Sequence, residues 1–360
     1  MSIVAKLFDM PQYGIANEEK NALLADELRD LTRFHSEHSE IYNRILNKIY
    51  AKKDYSSSLE TIPYLPVRLF KEYSLKSIPD GEVLKTLTSS GTTSQQVSKI
   101  AINKETSLLQ TKALASIVTS FIGPKRLPML IIDSEKTVGR NASMSARGAG
   151  LTGLSNFGRN HTYVLDGDLN LMTDTLIDFV EKYGDSEVLV FGFTFLVWKN
   201  FYQELKRKNL KISLPKGILI HSGGWKKLQE EAVTNETFKK SLLEQAGIQR
   251  IHNFYGMVEQ VGSIFMECEH GFFHTPNFSE VIIREYTDWQ PAPKGKSGIL
   301  QVLSVLPRSY PGHSLLTEDM GTIHGTDDCP CGRKGTYFTV QGRVPKAELR
   351  GCSDVLAFSE

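Results

Sequence analysis

Between Thr88 and Gln96 the chain reads TSSGTTSQQ, a run of hydroxyl side chains around a single glycine, Gly91. A turn of this composition brings backbone N–H groups and the hydroxyls of Ser89, Ser90, Thr92 and Thr93 toward one small volume. Such a volume suits a polyphosphate better than it suits solvent. The Gly-x4-Gly-Lys-Ser/Thr spacing of a P-loop is missing, so this is a phosphate loop of another type. A plain Ser/Thr/Gly turn is the competing reading.

Further along, His221-Ser222-Gly223-Gly224 closes the apolar run GILI, and NFYGMVE spans Asn253 to Glu259 with Gly256 inside it. Gly223 and Gly224 would let backbone approach a flat base or a ribose, Tyr255 could stack on it, and Glu259 could hold Mg2+ bridging to phosphates. The plainer alternatives are turns, a core aromatic and a helix cap. In LLTEDMGTI, Glu318 and Asp319 sit between apolar runs. A carboxylate there can bind both ribose hydroxyls, or the pair can serve a turn or a salt bridge. Gly342-Arg343 and then Lys346 supply cations for a ribose or for developing phosphate charge.

The four cysteines are more telling in their places than in their number. Cys268-Glu-His270-Gly271 and Cys329-Pro-Cys331-Gly332 share one form: ligand, spacer, ligand, glycine. Together they offer three thiolates and an imidazole, enough for a closed tetrahedral Zn2+ site that leaves no position for water and is therefore structural. His274 competes with His270 for the fourth place, and inert cysteines or a redox pair are the alternatives. Cys352 remains, beside Arg350 and just after a glycine. A neighbouring guanidinium favours the thiolate, and a short arm can carry a thiol into a cleft; an incidental surface cysteine is the other reading.

These residues must be positioned by regular elements. The stretch from Glu18 to Lys53 has apolar residues three and four apart and no internal Pro or Gly, which predicts helices. After the hydroxyl loop, VSKIAI alternates like a strand and TSLLQTKALASIVTSF reads as a helix. RLPMLIIDS, SEVLVFGF, GILIHSGG and RIHNFYG then read as strands separated by helical segments, which argues for an α/β fold with a largely parallel sheet. SARGAGLTGLSNFG is rich in small residues, as in a loop near a ligand or a tightly packed helix. Beyond Gly262, short strands between Pro- and Gly-rich turns predict an antiparallel region. The phosphate loop lies ahead of these strands, and the other polar motifs fall at their carboxyl ends, where open α/β sheets bind ligands.

The 360 residues, 23% charged, suffice for a sizeable core. A net charge of +1 gives no field that would draw nucleic acid. The N-terminus lacks a signal-peptide core, no apolar run is long enough for a membrane span, and the cysteines do not form a disulfide scaffold. A cytoplasmic protein is expected.

TSSGTTSQ resembles the phosphate loop of the adenylate-forming ligases. The same superfamily order continues with Gly223-Gly224, then Asn253, Tyr255, Gly256 and Glu259, then Thr317 and Asp319, then Gly342-Arg343. CPCGR, just ahead of the last pair, looks like the phenylacetate-CoA ligase branch. Over its whole length the chain is similar to the acyl-protein synthetase family of the bacterial luminescence fatty acid reductase complex, through HSGGWK, NFYGMVEQVG, ECEHG and GRVPKAELRGCSD. The resemblance implies a helical segment over 1–85 packed on an adenylation core over 86–342 with parallel and mixed sheets. A short arm over 343–360 would carry the cysteine.

It also implies ATP and Mg2+ as cofactors, and a long-chain fatty acid activated as acyl-AMP. The acyl group would then be carried on Cys352 and passed to a partner such as a fatty acid or acyl-CoA reductase subunit. Catalytic roles fall to Cys352, Glu259 and Lys346. The superfamily's small mobile C-terminal domain, with its adenylation lysine, is expected to be missing, since eight residues follow Cys352; Lys346, an arginine or a partner would substitute. The alternative is an acyl- or aryl-CoA ligase, or a ligase feeding a carrier protein, with Cys352 incidental. A non-catalytic acyl-carrying subunit is the rival of another class.

Overall fold

The computed structural model describes residues 2–51, 58–89, 97–138, 146–225, 231–260 and 262–344. Ser90, Gly91, Thr92, Thr93, Lys346 and Cys352 lie outside these residues.

Helix α1 (Ile3–Asp9) opens the chain, its first turn capped by the Ser2 hydroxyl, which accepts from the Ala5 N–H at 3.2 Å. The long helical pattern that follows divides at Ser39 into α2 (Asn17–His38) and α3 (Glu40–Ile49). On α2 the residues Leu24, Leu28, Leu31 and His35 recur at three and four and are all buried. Strand β1 (Leu65–Pro66) and the short α4 (Leu69–Glu72) lead to a hairpin of β2 (Lys85–Thr88) and β3 (Lys99–Ile102). The hydroxyl-rich stretch falls between these two strands in sequence. The Asn103 carboxamide then caps α5 (Lys104–Ile122).

A parallel α/β unit follows. Its elements are β4 (Leu127–Ser134), α6 (Ala146–Ser155), β5 (Gly158–Leu165), α7 (Thr173–Tyr183) and β6 (Val188–Phe193). The crossover after β6 is α8 (Thr194–Leu196), a π-helical stretch over Val197–Gln203, and α9 (Glu204–Arg207). Then come β7 (Gly217–Ser222), α10 (Asn235–Ala246) and β8 (Arg250–Tyr255). The small-residue segment is thus a helix, α6. The antiparallel part comprises β9 (Phe265–Glu267), β10 (Phe273–His274), β11 (Ser279–Arg284), β12 (Ser297–Ser304), β13 (Ser314–Thr326) and β14 (Thr336–Arg343).

Among the described residues both parts form one sheet, in the order β11-β12-β13-β14-β10-β9-β8-β7-β6-β4-β5, with β1 parallel to β13. Pairings β4–β5, β4–β6, β6–β7 and β7–β8 are parallel, and from β8–β9 onward they are antiparallel. Strand β4 shows why its run is continuously apolar. Met129 and Ile131 pack with Leu24, Leu28 and Ile117 from α2 and α5, whereas Leu130 and Ile132 pack with Phe179, Phe201 and Phe238 on the other face. A third core under the antiparallel strands holds Tyr42 and Leu46 of α3 against Leu300, Leu315 and Phe338. Among the described residues, no helix is long and apolar enough to cross a membrane.

Candidate active site and metal centre

Because β6, β7 and β8 run parallel in register, Phe193, Ser222 and Phe254 reach the same edge. The Ser222 hydroxyl donates to the Phe254 carbonyl at 2.9 Å and ties the two strand ends. Gly223 (φ 84°) and Gly224 follow, both exposed, and a Cβ on Gly224 would meet nothing within 4 Å. Beside them, Asn253 donates its backbone N–H to Glu267 Oε2 at 3.0 Å. Its side-chain Oδ1 is buried with no hydrogen-bond partner among the described residues. An orphaned buried acceptor at the mouth of a strand end is expensive to leave unpaired, and it fits a donor such as an exocyclic amine.

Tyr255, at the end of β8, donates its hydroxyl to Asp319 Oδ2 at 2.6 Å, joining residues 64 apart in sequence. Burial, and then the Asp319 charge, hold the Tyr255 phenol well above its ordinary pKa, so it stays a donor. Asp319 is set by a Thr-x-Asp turn: its N–H donates to Thr317 Oγ1 at 3.1 Å, and that hydroxyl donates to the Leu300 carbonyl at 2.8 Å. On the next strand Arg343 is its register partner. Glu259 follows the Tyr255 turn and is buried. Burial raises its carboxyl above the ordinary value, while the Ser98 hydroxyl and the Lys71 and Arg343 charges act the other way. A desolvated carboxylate of this kind gains most from a bound cation.

The hydroxyl loop springs from the same neighbourhood. Ser89 donates its N–H to the Ser98 carbonyl at 3.2 Å, and its hydroxyl accepts from the Ser98 N–H at 2.9 Å, which closes the loop's base. The structure therefore gathers Ser89, Glu259, Tyr255, Asp319 and Arg343 from separate segments. Sequence reasoning missed Glu267, a buried carboxylate behind Asn253 that also accepts from Lys239 Nζ at 2.9 Å and from the Asn235 amide. Its position inside the apolar β9 was the available signal.

The cysteine knuckles close a second constellation. Among the described residues, Cys268, His274, Cys329 and Cys331 present ligand atoms that all lie within 4.8 Å of one another. His274 replaces His270 in that set. His274 sits on β10 between β9 and β14, with its Nε2 3.3 Å from Cys331 Sγ. His270, in the turn after Cys268, lines a cleft with Tyr13, Glu269 and Arg333 instead. Each knuckle is a Cys-x-x-Gly turn in which the glycine N–H donates to the cysteine carbonyl, at 3.0 Å for Gly271 and 2.9 Å for Gly332. Both glycines have left-handed φ, 83° and 80°, which a side chain would disfavour. The three cysteines are free thiols, and burial raises Cys268 and Cys329 above the ordinary thiol value.

Comparison with known proteins follows this geometry. The family described as acyl-protein synthetase, LuxE, matches residues 2–359. A long-chain-fatty-acid--luciferin-component ligase of Vibrio harveyi is 26% identical over 138 residues, which cover 38% of this chain and 35% of that relative. Among solved structures, a 2-hydroxyisobutyryl-CoA ligase bound to its acyl-AMP and CoA superposes with a TM-score of 0.66. It is 15% identical, over 91% of this chain and 76% of its own. A long-chain-fatty-acid-CoA ligase from Archaeoglobus fulgidus gives a TM-score of 0.50 at 16% identity, over 74% and 52%. The fold is that of the adenylate-forming ligases. With a match that runs over nearly its entire length, the chain belongs to the LuxE family of acyl-protein synthetases.

Proposed function

We propose that the protein is an ATP-dependent acyl-protein synthetase that converts a long-chain fatty acid to acyl-AMP and then carries the acyl group on Cys352. The observation that supports this best is the convergence of Tyr255 at the end of β8, Glu259 in the turn after it and Asp319 within β13, beside the base of the hydroxyl loop. In the first half-reaction a substrate carboxylate oxygen attacks the α-phosphorus of ATP, the bond to the bridging oxygen breaks, and pyrophosphate leaves. Ser89, Ser90, Thr92, Thr93 and the Gly91 backbone hold the leaving phosphates, and Asp319 holds the ribose. Asn253, Tyr255, Gly256 and the Gly223-Gly224 backbone hold the base. Glu259 would hold Mg2+, which would supply charge neutralisation to the phosphates, and Arg343 with Lys346 would add positive charge. In the second half-reaction the Cys352 thiolate attacks the acyl carbonyl, the acyl–phosphate bond breaks, and AMP leaves, giving a thioester. A fatty acid reductase subunit is the acceptor this reading favours. Zn2+ in the Cys268, His274, Cys329 and Cys331 centre belongs to the same reading and takes no part in the chemistry.

A second reading, a CoA ligase with Cys352 incidental, draws on the fold shared with the 2-hydroxyisobutyryl-CoA ligase. Both readings begin with adenylation, which acid-dependent exchange of labelled pyrophosphate into ATP measures directly. The expected result is exchange with long-chain fatty acids in the presence of Mg2+, lowered at least a hundredfold by Glu259→Gln, about 3 kcal/mol of transition-state stabilisation. No exchange with any of a panel of carboxylic acids would overturn the proposal.

A further inference from the structure

The metal centre has neighbours that the chemistry does not use. Residues 12–20, which enter α2, dock on the two chain segments that carry its ligands. Tyr13 accepts the Lys334 N–H on its carbonyl at 2.8 Å, and its own N–H donates to Asn277 Oδ1 at 3.2 Å. The Tyr13 ring packs edge-on against His274 at 6.1 Å and against Phe121 at 5.8 Å. Helix α2 has no side-chain cap of its own at Ala16. Instead Asp327 Oδ2 accepts the Asn17 N–H at 3.0 Å, while Oδ1 accepts the Gly335 N–H at 2.7 Å. Lys20, fully buried, donates to Thr275 Oγ1 at 2.7 Å and pairs with Glu280 at 2.9 Å.

Apart from Phe121, these docking partners lie near a ligand in sequence, and those between β13 and β14 have little regular structure to hold them in place. The segment between β13 and β14 is irregular, and the apolar cluster beneath it contains only Cys268, Cys329 and Tyr337, with Phe272 and Cys331 against them. The knuckles are joined directly by the ion pair of Arg333 with Glu269 at 2.8 Å, and Arg333 also stacks over Phe121 at 4.2 Å. A metal among the four donors would cross-link β9, β10 and this irregular loop. The spacing fits Zn2+: a tetrahedral site with Zn–S of about 2.3 Å and Zn–N of about 2.0 Å has edges of about 3.8 Å and about 3.5 Å. The structure has 4.0 Å between Cys268 and Cys329 sulfurs and 3.3 Å between Cys331 Sγ and His274 Nε2. The centre stands well away from Asp319, although its ligand Cys268 follows Glu267, which accepts the Asn253 N–H. Asp319 and Thr326 stand seven residues apart on β13, about 20 Å, with Cys329 beyond Thr326.

We infer that Zn2+ bound by Cys268, His274, Cys329 and Cys331 fixes the platform on which residues 12–20 dock, so that metal occupancy controls whether this segment and the start of α2 stay seated on the sheet. The inference rests on the zinc reading above, and the experiment separates the two. Zinc content and amide hydrogen exchange are measured on the full chain as purified, after chelation, and in Cys331→Ser. A third protein, Asp327→Ala, keeps every ligand and removes the cap on α2 together with the Gly335 contact.

The expected result is about one zinc per chain in the native protein. Its loss should raise exchange in peptides covering 11–20 by about tenfold or more, with β6 and β7 unchanged. Asp327→Ala should keep its zinc and show the faster exchange only at the start of α2 and at Gly335. If Cys331→Ser fails to fold, graded chelation of the native protein gives the same comparison. Zinc lost with no change at 11–20 would overturn the coupling and leave the zinc reading standing, as would a rise spread over the whole sheet. No zinc in the native protein, and none taken up when it is supplied, would remove both.

Discussion

Asp319 has one carboxylate oxygen taken by the Tyr255 hydroxyl, and the turn set by Thr317 fixes its backbone. A ribose would find this acceptor already oriented, which makes the contact a test of the site. Loss of a charge-assisted hydrogen bond costs about 2 kcal/mol, so Asp319→Ala should lower kcat/KM for ATP roughly thirtyfold. The sharper comparison uses 2′,3′-dideoxy-ATP. The native enzyme should discriminate against it by a similar factor, and the Asp319→Ala enzyme should not discriminate at all. Equal discrimination in both proteins would place the ribose elsewhere. At this scale the place of Tyr255 and Glu259 where β8 ends was legible from the order of the motifs, whereas the place of Asp319 within β13 was not. The choice between His270 and His274 was not legible, because both follow Cys268 closely. It is made by strand pairing: β10 lies between β9 and β14, and that position brings His274 to the thiols.

Helix α2 joins the antiparallel strands through buried polar contacts that the 3.6-residue pattern cannot announce. His35 and His313 stack at 5.1 Å, both fully buried. Ser77 Oγ meets His35 Nδ1 at 2.8 Å, and Thr32 Oγ1 meets His313 Nε2 at 2.9 Å. Burial pushes His313 down to about 3, and burial followed by the nearby His313 lowers His35 well below its ordinary value. Since the folded values lie below the unfolded one, the native state binds fewer protons than the unfolded chain in acid. The stability from keeping these rings neutral is complete above about pH 6.5 and is lost as pH falls toward 3. Stability against urea should therefore fall from pH 6.5 to 4.5, and His313→Gln should flatten that slope by up to about 1.4 kcal/mol per pH unit. Parallel slopes in the two proteins would show that the imidazole is not held neutral.

Other elements were legible to different degrees. The amphipathic helices and the four apolar parallel strands follow from their periods. Strand β5 was not legible, because GRNHTYVL has a partly exposed, polar first half at the sheet's edge. The small residues of α6 were equally compatible with a loop. Gly150 shows why they are there, since a Cβ would stand 3.3 Å from the Phe193 ring. The helical run from Glu18 breaks at Ser39, whose extended backbone (φ −133°, ψ 104°) turns the chain between α2 and α3.

Across the whole molecule, one sheet carries two constellations at different places. The parallel half, the middle of β13 and the end of β14 present the nucleotide-binding candidates, and β10 with the turns after β9 and β13 presents the metal donors. An antiparallel region after Gly262 was legible from its short strands and turns. That it continues the parallel sheet was not, because the joining pairs β8–β9 and β10–β14 are non-local or very short. The proposed second half-reaction rests on Cys352, and that is where the proposal is most directly exposed to experiment. The decisive measurement incubates the protein with Mg2+, ATP and radiolabelled long-chain fatty acid, then follows label on the denatured chain, with Cys352→Ser alongside. The account predicts label that neutral hydroxylamine releases, absent from the serine variant, with acid-dependent pyrophosphate release preserved in both. Pyrophosphate release without label on the native chain, or label that survives in Cys352→Ser, would contradict it.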